Sequence, residues 1–170
     1  MKPDEEYLCE SANGKRVVFD PIRSHASTHF HDSPKLRDLV IDVLSKKELV
    51  EAIVAEDVDM GRVVGDTDVV EVDGTDEIVY AMRKHREDQG YVPFTKSRMT
   101  QPSSFVSIYL TEKDSMTYEL SSAWIGEYES PPFPQMDNAT ADSIPYWQKY
   151  AFVWGSQEII PGSEISDCPW

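Results

Sequence analysis

Three of the four histidines of this chain lie in one short segment, which makes that segment the first candidate for chemistry. They are His25, His29 and His31, and Asp32 follows directly. Alternate residues of an extended chain share a face, so His29 and His31 could hold a metal ion together, with Asp32 orienting one ring. They could instead transfer protons or contact a phosphate, because imidazole titrates near neutral pH. A structural role in capping and loop packing is the remaining interpretation.

The second candidate is the only basic island in an otherwise acidic chain. It comprises Arg83, Lys84, His85 and Arg86, with Lys96 and Arg98 further along. Such an island could neutralise a phosphate or carboxylate, which arginine binds through two parallel N–H bonds. The alternative is that these side chains balance nearby aspartate and glutamate in surface ion pairs, which contribute little to stability.

A third set of candidates is hydroxyl-bearing and lies on predicted strands. Alternation places Ser107, Tyr109 and Thr111 on one face, and the other face carries Val106, Ile108 and Leu110. The apolar face belongs against the helices, which leaves a polar face that Ser121 and Ser122 of the next strand extend. This face could form the floor of a site, or it could be the solvated side of the sheet.

Helix and strand signals around these candidates define the expected framework. Residues 1–16 are polar and are predicted to be loosely ordered, and residues 17–19 could form a first strand. Ser33 and Pro34 are typical of a helix start, and an amphipathic apolar stripe follows over residues 36–44. A second helix is predicted from the capping box that begins at Ser45.

Beyond Gly61 the pattern changes to that of strands. The sequence predicts strands at residues 69–72 and 78–82 around the turn Asp73-Gly74, and further strands at 105–110 and 117–125. Sequential strands with short turns favour an antiparallel meander. The polar link over residues 84–104 is expected to be a functional loop, residues 127–145 to be irregular, and the aromatic segment 146–154 to be a helical turn followed by an edge strand.

Composition restricts the class of protein. The chain has 170 residues, of which 40% are hydrophobic, and a formal net charge of −15, so we expect one soluble domain spanning residues 1–170. This charge argues against non-specific DNA binding and against an anionic membrane surface. No run of about 20 apolar residues or secretory leader is evident, and two cysteines fit reduced thiols, so a cytoplasmic location is expected.

Sequence signatures of several enzyme classes are absent. The chain contains no Walker loop, no GxGxxG motif, no GxSxG elbow, no kinase motifs and no HExxH spacing. We therefore assign no metal and no cofactor.

The C-terminal half resembles an uncharacterised family of bacterial and phage-associated proteins. The stretches that carry this resemblance are DEIVYAMR at 76–83, LSSAWIGE at 120–127, the aromatic segment at 146–154 and the ending Cys168-Pro169-Trp170. The resemblance implies no established function.

The order of parts is also similar, more distantly, to the barnase, EndoU, colicin and RelE group of ribonuclease toxins. That group has a histidine near an N-terminal helix followed by a four-stranded antiparallel sheet, and Ser122-Ala123-Trp124 resembles its threonine-alanine-tyrosine step. The resemblance implies that His29 or His31 is the general acid or base. It further implies that Arg83 stabilises the phosphorane and that Ser122 contacts phosphate.

Together these observations predict an α+β domain. Its N-terminal helices would pack on a four- to five-stranded antiparallel meander, with the Pro-rich aromatic C-terminal segment wrapping it. The expected site is catalytic through His29, His31, Arg83 and Ser122, and anion-binding through Lys84, Arg98 and Tyr109. It would either bind RNA or a small anion, or cleave a phosphodiester without metal by attack of a ribose 2′-hydroxyl. The alternative is a non-catalytic domain of bacterial or phage origin whose aromatic C-terminal half binds a protein.

Overall fold

The computed structural model describes residues 4–127 and 131–170, and it leaves the side chains of His25, Thr28 and Asp32 outside the description. The described chain is a mixture of helix and sheet, with many strands and three short α-helices. It divides into two compact units. The first holds the described residues of 4–65 and 103–127, and the second holds those of 66–102 and 131–170.

The elements of the first unit come from both of its chain segments. They are β1 (Glu6–Glu10), β2 (Arg16–Phe19), α1 (His25–Asp32), α2 (Pro34–Ser45), β3 (Ile53–Asp59), β9 (Phe105–Asp114) and β10 (Thr117–Ile125). Five strands form one sheet in the order β1-β2-β10-β9-β3. All neighbours are antiparallel except β2 and β10, which run parallel.

The remaining elements belong to the second unit or to the chain segments that lead into it. They are β4 (Gly65–Thr67), β5 (Val69–Glu71), β6 (Ile78–Met82), a 3₁₀ turn (Glu87–Gln89), β7 (Tyr91–Thr95), β8 (Gln101–Ser103), α3 (Ser143–Lys149) and β11 (Tyr150–Val153). Four strands form a sheet in the order β5-β11-β7-β6, and β4 pairs with β8. The β11–β7 pair is parallel.

Helix α2 follows the apolar stripe that the sequence predicts. Pro34 occupies the first turn, where its missing N–H costs no hydrogen bond, and Leu36, Val40 and Leu44 are buried. These side chains share one core with the alternating residues Ile108 and Leu110 of β9. The amphipathic pattern and the strand alternation therefore describe two sides of the same apolar layer.

The core of the second unit is mainly aromatic. Phe133 stacks on Trp147 with ring centroids 4.0 Å apart, and Phe152 lies 5.8 Å from the same indole. Phe94 of β7 is fully buried beside Phe152. Trp147 and Phe152 of the aromatic C-terminal segment therefore help to form the core of the second unit.

The predicted meander is not formed. Strands β5 and β6 belong to the second sheet, whereas β9 and β10 belong to the first. Asp73 does make a turn, because its carboxylate accepts the Thr75 N–H at 2.8 Å, but the strands on either side of it do not pair. The reason is that two other strands lie between β5 and β6. Strand β11, which comes from much later in the chain, pairs with β5, and β7 pairs with β6.

The helix predicted from Ser45 is also wrong, because the chain leaves α2 and enters β3. The Asn13 carboxamide makes two hydrogen bonds to the backbone of Leu49. Its oxygen accepts a hydrogen bond from the Leu49 N–H at 3.0 Å, and its NH₂ group donates one to the Leu49 carbonyl at 2.9 Å. Leu49 is fully buried in this position. A tertiary contact thus replaces the intrahelical bonds that the capping box would have started.

Three further expectations are corrected by strand pairing. Of residues 1–16, which the sequence predicts to be loosely ordered, residues 1–3 lie outside the described residues, and in the remainder β1 pairs with β2 and buries Leu8 and Cys9. The link 84–104 contains β7, whose Val92 and Phe94 are fully buried. Strand β11 is not at an edge, because it lies between β5 and β7.

Several other features of the described residues bear on the class of protein. Both cysteines are free thiols. Cys9 is buried, which raises the pKa of its thiol to about 11, whereas Cys168 is exposed. No helix in the described ranges is long and apolar enough to cross a bilayer. The assignment of residues 1–170 to a single domain stays a prediction.

The Asn13 contact gives a stability prediction for the first unit. Asn13→Ala removes three hydrogen bonds, one from the Ser11 hydroxyl and two to the backbone of Leu49. Because it leaves a part-buried N–H and carbonyl of Leu49 without their partner, we expect a loss of about 1–3 kcal/mol in the free energy of unfolding. Urea unfolding followed by circular dichroism measures it. The matched control is Asn138→Ala, at an exposed position, and equal effects of the two substitutions would contradict this account.

Candidate functional site

The histidine segment is helical, which changes how its imidazoles are presented. Ser24 caps α1 by accepting the Ser27 N–H at 3.1 Å, and the helix then runs through His29 and His31, for which the sequence predicts an extended chain. Residues two apart do not share a helix face, so the prediction that His29 and His31 lie on one face is wrong. His31 is exposed and His29 is half-buried.

The helical geometry also removes the basis for a shared metal site. No group of three or more potential ligands forms among the described side chains. The prediction that Asp32 orients one of the imidazole rings falls outside the described side chains, as does any part played by the imidazole of His25.

Tyr109 and Ser122 are brought together as the strand pattern predicts. They are direct partners in the register of β9 and β10. Ser121 is the extra residue at the irregularity that precedes this pair. Because the neighbouring residues Ile108 and Ala123 are fully buried in the core, Tyr109 and Ser122 lie on the opposite face of the first-unit sheet.

The histidines are on the other side of that sheet. Ala26 and Phe30 of α1 are buried in the same core as Ile108 and Ala123, so α1 covers the core face. His29 and His31 therefore do not meet Tyr109 or Ser122 within the first unit. The catalytic set that the resemblance implies is not assembled there.

Arg83, at the end of β6 in the second unit, has an unusual set of neighbours. Its Nε and Nη2 both donate to the carboxamide oxygen of Gln89, and its Nη1 donates to that of Gln157 at 3.1 Å. The guanidinium carbon lies 4.7 Å from the ring centroid of Phe152. The side chain is half-buried, and its partners among the described residues are neutral.

This environment perturbs the guanidinium but leaves it charged. Burial, followed by repulsion from Arg86, lowers the pKa of Arg83 to about 10. Arg83 therefore stays protonated at pH 7. The charges of Asp68 and Asp88 act in the opposite direction and raise this pKa, although neither carboxylate is a hydrogen-bond partner of Arg83. Gln157 donates to Asp68 at 2.6 Å and so orients its oxygen toward Arg83.

The turn after Arg83 keeps further positive charge close to it. The Arg86 N–H donates to the Arg83 carbonyl at 3.1 Å, and His85 has a φ of 63°, which is rare for a residue other than glycine. Lys84 is exposed, and its Nζ lies 4.0 Å from a carboxylate oxygen of Glu158. The island predicted from the sequence is thus a folded turn, with two guanidinium groups near each other.

Arg98 has a different environment from Arg83. Its Nε donates to Asp76 at 2.8 Å, and its Nη2 lies 3.3 Å from Asp73. The hydrogen bond from Arg98 is the largest cause that lowers the pKa of Asp76, and the same contact raises the pKa of Arg98. Two carboxylates therefore already neutralise Arg98. The other cation of this part of the island, Lys96, has its ammonium nitrogen 4.7 Å from the ring centroid of Trp154.

The sequence-predicted residues thus fall into separate groups. His29, His31, Tyr109 and Ser122 belong to the first unit, and Arg83, Lys84 and Arg98 belong to the second. Sequence reasoning missed Gln89, Gln157 and Phe152, because no local pattern connects them to Arg83. The one available signal was an arginine directly after an apolar strand, where a charge needs a tertiary partner.

Comparison of the chain with protein-family models, with curated proteins and with solved structures finds no match.

The Arg98 contact gives a pH-dependent prediction. A carboxyl whose folded pKa is lowered contributes stability above its unfolded pKa, about 3.9 for aspartate, and loses it as the pH falls through the folded pKa. Arg98→Met should therefore raise the pKa of Asp76 and shift acid unfolding to higher pH. NMR titration of the Asp76 carboxyl measures the first effect, and circular dichroism against pH measures the second.

The control for this substitution is Arg62→Met, which removes an exposed arginine of the first unit. It should leave the Asp76 titration unchanged. An Asp76 pKa that stays where it is in Arg98→Met would show that the other hydrogen bonds of the turn are sufficient to lower it.

Proposed function

We propose that the second unit binds a small phosphate-bearing anion at Arg83. The observation that carries the proposal is a half-buried, charged guanidinium whose described partners are the neutral oxygens of Gln89 and Gln157. Buried charges in proteins are usually paired with an opposite charge. Asp68 and Asp88 attract Arg83 through their charge without a hydrogen bond to it. The direct bond to an anion that Arg98 has is therefore open to a ligand at Arg83.

The hydrogen-bonding capacity of Arg83 fits this role. A guanidinium carries five N–H donors, and three bonds to carboxamide oxygens are formed here. Partial burial lowers the effective dielectric constant, which strengthens attraction to an anion. A phosphate between Arg83 and Arg86 would also offset their mutual repulsion.

Binding without cleavage is the version of this function that the geometry favours. The imidazoles to which the resemblance gives catalysis, His29 and His31, are on α1, on the opposite side of the first-unit sheet from Ser122. General acid–base catalysis requires the proton-transferring group within hydrogen-bond reach of the reacting atoms. The ribonuclease resemblance makes a ribonucleotide the appropriate probe, and RNA cleavage is the outcome that would extend the proposal to an enzyme.

The decisive variant is Gln89→Glu, because it supplies a carboxylate where Arg83 now has a carboxamide. The fold should be kept, since the new oxygen still accepts from Arg83, but the guanidinium would be neutralised. We expect affinity for adenosine monophosphate and for inorganic phosphate to fall about tenfold or more, since hydrogen bonds to charged groups contribute about 1.5–3 kcal/mol. NMR titration of the Arg83 Nε–H resonance measures this affinity.

Two further variants distinguish loss of a ligand contact from loss of the fold. Arg86→Met should weaken binding by removing the second cation, whereas Arg98→Met removes an arginine that carboxylates already neutralise and should leave affinity unchanged. Nucleotide shifts of equal size in the wild type and in Gln89→Glu would contradict the proposal, as would the absence of saturable shifts in the wild type.

A further inference from the structure

The edge of the first-unit sheet formed by β3 is a second place where a partner could bind. Strand β3 is last in the order β1-β2-β10-β9-β3, and it pairs with β9 over its whole length without a register shift. No strand among the described residues pairs with its other side. This edge belongs to the first unit, so it is independent of the anion site proposed at Arg83.

The register defines which backbone groups of β3 face outward. The Glu112 N–H donates to the Ala52 carbonyl at 2.8 Å, and the Met60 N–H donates to the Ser104 carbonyl at 2.8 Å. Antiparallel pairs alternate between hydrogen-bonded and non-hydrogen-bonded residues. The even-numbered residues between these points therefore bond to β9, and Ile53 and Ala55 direct their N–H and carbonyl groups away from it.

The edge also has few of the features that usually prevent strand addition. Such edges are commonly protected by proline, bulges, charged side chains (lysine above all) or a covering element, and the charges that β3 carries are acidic, which oppose an acidic strand but not a basic one. Residues 53–59 contain no proline, glycine or lysine, and their pairing has no irregularity. Ile53 is 55% exposed, and Val50 just before the strand is 75% exposed.

The charges around the edge specify the kind of partner. Glu48, Glu51, Glu56 and Asp59 are all exposed. The two lysines that precede β3 are already engaged, since Lys47 lies 2.6 Å from Glu56 and Lys46 lies 2.7 Å from Asp42. A second copy of the chain would oppose carboxylates to carboxylates across the new pair, which is unfavourable.

We propose that the β3 edge binds an extended, basic segment of a partner protein by strand addition. The partner's backbone would bond to the outward groups of Ile53 and Ala55. Apolar side chains of the segment would cover Val50 and Ile53, and lysine or arginine would pair with Glu51 and Asp59. Main-chain bonds supply affinity in this mode, and the acidic rim selects a basic segment over an acidic one.

The test uses a capped peptide as long as β3 that alternates lysine with valine, and a counterpart that alternates glutamate with valine. The lysine peptide should bind the full chain with an affinity that falls as salt rises, and the glutamate peptide should not bind. Binding should slow amide hydrogen exchange at Ile53 and Ala55, which a purely electrostatic association would not do. NMR titration and exchange measure these effects.

The edge variant is Ala55→Pro, which removes an outward N–H and leaves the bonds to β9 in place. We expect the affinity for the lysine peptide to fall about tenfold or more, because one main-chain hydrogen bond is lost and the proline ring obstructs the pairing of the peptide with β3. Ala55→Val keeps the N–H and should bind as the wild type does. Circular dichroism of both variants tests whether the fold is retained.

Several results would overturn the proposal. They are no binding of the lysine peptide, equal binding of the two peptides, unchanged affinity in a folded Ala55→Pro variant, or unchanged exchange at Ile53 and Ala55 in the complex. Concentration-dependent dimerisation that Ala55→Pro abolishes would assign the edge to a second copy of the chain instead.

Discussion

The structure of each unit depends on the parallel pairing of two strands that are far apart in the chain. In the first unit β2 lies beside β10, and in the second β11 lies beside β7. Parallel neighbours cannot be joined by a tight turn, so each sheet is complete only after distant segments meet. Both chain segments of each unit are therefore needed to form its core, and the central strands β10 and β7 receive hydrogen bonds from both sides.

This dependence explains which elements could be predicted from the sequence. Helix α2 and strands β9 and β10 have strong periodicity of their own, and the structure confirms them. The capping box at Ser45 and the turn at Asp73-Gly74 are local signals as well, but Asn13 and strand β11 compete with them. Local patterns specify an element type only where no distant partner offers better backbone bonds.

The same limit applies to the candidate site. Arg83 and Arg98 belong to the same basic island of the sequence, which does not show how either charge is balanced. Their difference lies in the chemical identity of what the fold brings to them, carboxamides for Arg83 and carboxylates for Arg98. Likewise, His29 and Ser122 satisfy a ribonuclease-like order along the chain, yet the core between them places them on opposite faces. The sequence could therefore predict which residue types are candidates for a site. It could not predict which arginine is neutralised by carboxylates, or which face of the sheet each side chain lies on.

The net charge of −15 acts in opposite directions on the two proposed sites. The long-range field repels an anion that approaches Arg83, so binding there must come from contacts within about one Debye length, where burial limits screening. The same field attracts a basic segment toward β3 before any backbone bond forms. Added salt should therefore slow association at β3 but reduce the repulsion that an anion meets on its way to Arg83. The sign of the salt effect on the association rate distinguishes a site that works against the charge of the chain from one that works with it.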